Sequence, residues 1–110
     1  MSIKETNSYF FENGTLTVKI FGDIDHHCAR QIRESIDSNI FSYKPNRILL
    51  NLSSVEFMDS SGLGLILGRY NTACEIGAEL IICAPSISVR KILELAGIER
   101  IIKIKGDLKV

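Results

Sequence analysis

The sequence predicts an α/β domain, with a mixed, mostly parallel sheet and helices packed on it in the order ββαβαβαβ. Three observations predict it. Two β-rich runs flank Asn13-Gly14 near the start. Largely apolar runs of strand length recur at 47–52 and 80–83. Between and after them lie segments whose apolar residues repeat at spacings of three and four. A hairpin followed by alternating helices and strands folds most simply as parallel crossovers joined to an antiparallel edge.

The elements follow in order. Ser8-Tyr9-Phe10-Phe11-Glu12 and Thr15 to Phe21 form the hairpin, because Asn-Gly readily takes the positive φ that a two-residue turn demands. Leu16, Val18 and Ile20 share one face of the second strand, and Thr15, Thr17 and Lys19 share the wetter one. Gly22-Asp23-Ile24-Asp25 opens a helix carrying Ala29, Ile32, Ile36 and Ile40, which Tyr43-Lys44-Pro45-Asn46 ends. Arg47 to Leu52 reads as a central strand covered on both faces. A second helix, capped by Asp59 and stopped by Gly77, shows Leu63, Ile66, Leu67, Tyr70 and Cys74 at helical spacing. Leu80 to Cys83 is another buried strand. Pro85-Ser86-Ile87-Ser88 leads into a third helix with Val89, Ile92, Leu93 and Ala96, closed by Gly97. Ile101 to Ile104 forms the last strand.

The totals fit one domain over residues 1–110, long enough to bury roughly two-thirds of its unfolded surface. Apolar residues make up 45% and charged residues 24%, which argues against disorder. Thirteen basic residues balance thirteen acidic ones without a basic stripe, so nucleic acid is not an expected partner. The start lacks the apolar core of a signal peptide, and the nearly uncharged stretch 60–68 is too short to span a bilayer. A cytoplasmic protein with no membrane partner, monomeric when free, is expected. Cys28, Cys74 and Cys83 are widely spaced within apolar patterns, which suits reduced, buried thiols.

Chemistry concentrates in Asp59-Ser60-Ser61-Gly62-Leu63-Gly64. This segment follows a central strand at its carboxyl end, the edge where α/β proteins meet ligands and partners. Ser60 and Ser61 fall in the first helical turn, where free N–H groups and the helix dipole favour a phosphate. Gly62 and Gly64 keep side chains away from an approaching surface. The same residues also make an ordinary cap with tight helix packing, and local chemistry alone does not separate the two readings.

The stretch Phe57-Met58-Asp59-Ser60-Ser61-Gly62-Leu63-Gly64-Leu65-Ile66-Leu67-Gly68-Arg69-Tyr70 resembles the signature of anti-sigma-factor antagonists, the bacterial branch of the STAS domain family. The resemblance takes in Gly22-Asp23-Ile24-Asp25-His26-His27, Gly77 to Cys83 and Val89 to Ile98. Asp25-His26-His27 and Gly68-Arg69-Tyr70 are most similar to members of the sporulation sigma F pathway. The resemblance implies a STAS-like fold and a regulatory role without catalysis or cofactor. It implies that the unphosphorylated form binds an anti-sigma factor that is itself a serine kinase, which frees the sigma factor. That kinase would phosphorylate Ser60 rather than Ser61 and so end binding, and a serine phosphatase would reverse it. Asp23, Asp25, Asp59, Ser60, Ser61, Gly62, Leu63 and Gly64 are the implied contact residues. Asp25 serves equally as a helix cap, and the spacing of Leu63 also suits the core.

Other chemistries find little support. His26 and His27 are adjacent, and neighbours on a helix diverge by about 100°, so they do not chelate a metal together. Ser60 does not sit in the complete Gly-x-Ser-x-Gly pattern of a hydrolase elbow. Gly62, Gly64 and Gly68 have the wrong spacing and position for a dinucleotide loop.

Overall fold

The computed structural model describes residues 7–107. Among them a five-stranded sheet in the order β1-β2-β3-β4-β5 is built from β1 (Asn7–Glu12), β2 (Thr15–Phe21), β3 (Arg47–Ser54), β4 (Glu79–Cys83) and β5 (Lys103–Lys105). Three helices, α1 (Ala29–Tyr43), α2 (Ser60–Ile76) and α3 (Ile87–Leu95), complete the expected order. Only the β1–β2 pair is antiparallel. Its turn is the expected one, since Asn13 and Gly14 both have positive φ, 53° and 79°.

Consecutive parallel strands joined by right-handed crossovers put all three helices on one side of the sheet. The main core lies there. Leu16, Val18 and Ile20 of β2, Ile48, Leu50 and Leu52 of β3, and Leu80 and Ile82 of β4 meet Ile32, Ile36 and Ile40 of α1. Ile66 of α2 and Val89 and Leu93 of α3 close the layer. β3 is buried on both faces as expected, Ile48 to Leu52 all being buried, but the helices supply the cover on one face alone. On the opposite face Leu49, Ile81 and Cys83 form a small separate cluster, and no described helix packs there.

Four local expectations shift. The helix after Asp25 is preceded by a turn, and α1 begins at Ala29. α2 is rotated by about one residue: Gly62, Leu65, Ile66, Arg69 and Ala73 are buried, while Leu67 and Cys74 are exposed. An arginine on the inward face disguises the true apolar stripe. Of the cysteines only Cys83 is buried; all three are free. Finally, Ile98–Arg100 form a 3₁₀ turn that delays the last strand to Lys103.

Arg69 explains its own burial. Its Nε lies 2.9 Å from Asp37 Oδ1 of α1, an ion pair rather than an aligned hydrogen bond, and Nη1 is enclosed without a partner among the described residues. Desolvation lowers the Arg69 pKa, Asp37 opposes that, and nearby Arg33 adds to it. The pair joins α1 to α2.

Candidate functional site

Two loops that are distant in sequence are tied at the carboxyl edge of the sheet. The Gly22 N–H donates to Ser54 O at 3.1 Å and the Ile24 N–H to Phe57 O at 2.9 Å, while the Asp59 N–H returns to Ile24 O at 3.2 Å. The last two make an isolated parallel bridge between Ile24 and Met58. Both side chains are buried, as is Val55, and this apolar anchoring holds the backbone segments together. The bridge places Asp23 and Asp25 beside Asp59 and Ser60.

Asp59 caps α2 as expected. Its extended backbone turns the chain into the helix, and Oδ1 accepts the Ser61 N–H at 2.8 Å. Its carbonyl accepts from the Gly62 and Leu63 N–H groups at 3.0 and 3.3 Å. Ser60, the first helical residue, is exposed. Ser61 is half-buried. Geometry therefore distinguishes two residues that the pattern left equivalent, Ser60 being the more exposed.

The two glycines also divide. A Cβ on Gly62 would lie 2.7 Å from Met58 Cβ and 3.3 Å from Ile24 Cγ2, so this position must be bare for the helix to sit on the bridge. Gly64 has open space beside it. Leu63 is half-buried against the core, which agrees with its helical spacing. The structure thus brings all eight implied contact residues to one edge, with Gly62 facing inward.

Asp23 is exposed and Asp25 half-buried. Asp25 Oδ1 accepts the His27 N–H at 2.9 Å and the Cys28 N–H at 3.2 Å, fixing the turn before α1. Desolvation pushes the Asp25 carboxyl up, but hydrogen bonding with Cys28 and His27 and the His27 charge outweigh it, so its pKa falls below the ordinary value. The cap reading of Asp25 is thereby satisfied, and its carboxylate still lies at the rim. Exposed Glu56 and Phe57 lie on the same loop as Asp59.

On the other flank a groove of about 200 Å³ runs between α1 and α2, lined by Arg30, Arg33, Ser61 and Gly64 among others. Both arginines are exposed, and nothing in the helical pattern signals that they border the serine loop. His26 and His27 have ring centroids 4.0 Å apart. Among the described residues no group of three His, Cys, Asp or Glu side chains is arranged to hold a metal.

A five-stranded sheet with its helices on one face, and an Asp-capped serine at the start of the second, defines the class. The STAS domain family matches residues 10–109, and the chain belongs to it. Within that family it stands with the anti-sigma-factor antagonists. An anti-sigma F factor antagonist of Paenibacillus polymyxa is 37% identical over 91 residues, spanning 83% of this chain and 78% of that one. The solved anti-sigma factor antagonist SpoIIAA in its unphosphorylated form is 32% identical, with a TM-score of 0.77 over 89% of this chain and 86% of that one. The Bacillus cell fate determinant SpoIIAA in its phosphorylated form gives 31% and 0.69, over 89% of each chain.

Proposed function

We propose that the unphosphorylated protein binds an anti-sigma factor through the edge holding Ser60, and that phosphorylation of Ser60 by this serine-kinase partner ends the binding. The sigma factor is thereby released or recaptured in the cytoplasm, with sporulation as the setting suggested by the sigma F relatives. A serine phosphatase restores the active form. The protein itself acts as a substrate and a ligand, not as an enzyme.

One observation carries this reading: Ser60 is exposed at an Asp-capped helix start, while Ser61 beside it is half-buried. A kinase needs an accessible hydroxyl. The added phosphate brings about −1.5 to −2 charges at neutral pH. Free N–H groups and the dipole of α2 offset part of that charge, so the fold persists. A partner packed on the bare serine instead meets a bulky, solvated dianion next to Asp59. Binding then fails without any refolding of the loop.

The test is to mix the protein with a candidate anti-sigma kinase and ATP and to map the modified peptide by mass spectrometry. Phosphate on Ser60 is expected, with Ser60→Ala unmodified but still binding. Absence of phosphate from the stretch between Asp59 and Arg69 overturns the proposal. Ser60→Asp binds much less tightly by calorimetry; wild-type affinity contradicts the mechanism.

A further inference from the structure

The outward face of α2 is unlike those of its neighbours. Arg30, Arg33 and Glu34 are exposed on α1, and Lys91 and Glu94 on α3. Charge of this kind is ordinary on a helix face turned to water. On α2 no exposed residue from Ser60 to Cys74 is charged. The one charge in that span, Arg69, is turned inward and only 5% exposed. At 1.5 Å per residue the charge-free face runs about 21 Å from Ser60.

Apolar groups occupy it. Leu63, Leu67, Tyr70 and Cys74 follow one another at spacings of four, three and four, which sets them within an arc of about 60°. Such spacing suits a core stripe, yet Leu67 is 36% exposed, Cys74 is exposed, and Leu63 and Tyr70 are half-buried. Gly64 and Gly68 meet nothing within 4 Å of an added Cβ, so another surface can come close to the helix backbone there. Phe57, 50% exposed, stands on the loop just ahead of the helix.

The composition and the position of this strip identify its occupant. Contiguous exposed apolar surface marks a site of protein contact, and depletion of charge distinguishes the centre of an interface from ordinary surface. Ser60 lies within about 20° of Leu67 around the helix, so the strip continues the edge that carries the serine. A partner seated on that edge meets the strip next.

We propose that the anti-sigma factor docks along α2 as far as Cys74, with an apolar, uncharged surface packed on Leu67, Tyr70 and Cys74. This contact rests on Ser60 marking the docking edge, and carries that edge about four helical turns farther. A phosphate on Ser60 then faces a surface that offers it no counter-charge.

Alkylation of Cys74 by iodoacetamide, followed by peptide mass spectrometry with and without the anti-sigma factor, tests this on the unaltered chain. Labelling at least tenfold slower in the complex is expected, with no slowing once Ser60 is phosphorylated. Leu67→Glu and Cys74→Glu should each weaken binding at least tenfold by calorimetry, while Lys91→Glu on α3 binds as the wild type does. If Leu67→Glu does not fold, Asn71→Glu, exposed on the same face, decides with the same loss expected. Wild-type affinity in the folded variants, or unchanged Cys74 labelling with a partner that Ser60→Asp fails to bind, overturns the proposal and leaves the role of Ser60 standing. A partner that binds Ser60→Asp as well as the wild type, or binds neither, overturns both. Cys74 already protected in a dimer of the free protein assigns the face to a second copy and overturns the proposal.

Discussion

Gly62 and Gly64 are two residues apart in one helix, yet alanine should act on them with opposite sign. At Gly62 the new methyl lies 2.7 Å from Met58 Cβ, an atom tied to the backbone that cannot swing aside. Such overpacking costs typically 1–3 kcal/mol. Replacing a helical glycine by alanine returns about 1 kcal/mol. The net expectation is a loss of about 1 kcal/mol for Gly62→Ala. At Gly64 nothing lies within 4 Å of the added Cβ, so the propensity gain stands alone, about 1 kcal/mol of stabilisation. Urea unfolding of both variants, with equal slopes, reads this difference of roughly 2 kcal/mol directly. The clash at Gly62 also loads the Ile24–Met58 bridge that holds Asp23 and Asp25 beside Ser60, so its partner affinity should fall with stability. Gly64→Ala should instead stabilise the fold while weakening partner binding, through a methyl placed on the docking edge. If Gly62→Ala proves as stabilising as Gly64→Ala, the packing account of the site is wrong.

Four further outcomes are expected. Asp59→Ala removes the cap on Ser61 and should cost about 0.5–2 kcal/mol, with Asp59→Asn recovering most of it; equal stability of the wild type and the alanine variant counts against the cap. The Asp25 carboxyl should titrate by NMR below the ordinary aspartate value of 3.8, so its contribution to stability is complete above that pH and lost as pH falls through the lower folded value; a midpoint at or above 3.8 contradicts the hydrogen bonding described. Asp37→Asn leaves the Arg69 guanidinium enclosed without its counter-charge and should lower stability by about 1–2 kcal/mol, a figure reduced because Asp37 is partly exposed. Arg69→Met should cost less than Asp37→Asn in the same thermal melts, since it removes the buried charge altogether; the reverse order would rule out desolvation as the main cost.

Most of the framework was legible in the linear pattern, because hairpin chemistry, strand runs and caps are local. Asn13-Gly14, the apolar run of β3, the Asp59 cap and the Gly77 stop all act within a few residues of themselves. The motif around Ser60 was legible too, and its resemblance to known antagonists supplied the proposed role. The inward face of α2 was not. Arg69 occupies a core position only because Asp37 of another helix receives it, and no spacing rule within α2 reveals that.

The site shows the same division. Local sequence sufficed to place a capped serine at the start of a helix. The proximity of Asp23 and Asp25 depends on backbone hydrogen bonds between two loops, which form only when β2 and β3 lie side by side. The exposure of Ser60 over Ser61, the inward turn of Gly62, and the outward turn of Leu67 and Cys74 were decided by tertiary structure. Capping and turn preferences are short-range energies carried by neighbouring residues. Burial and cross-loop pairing exist only once the chain has closed on itself.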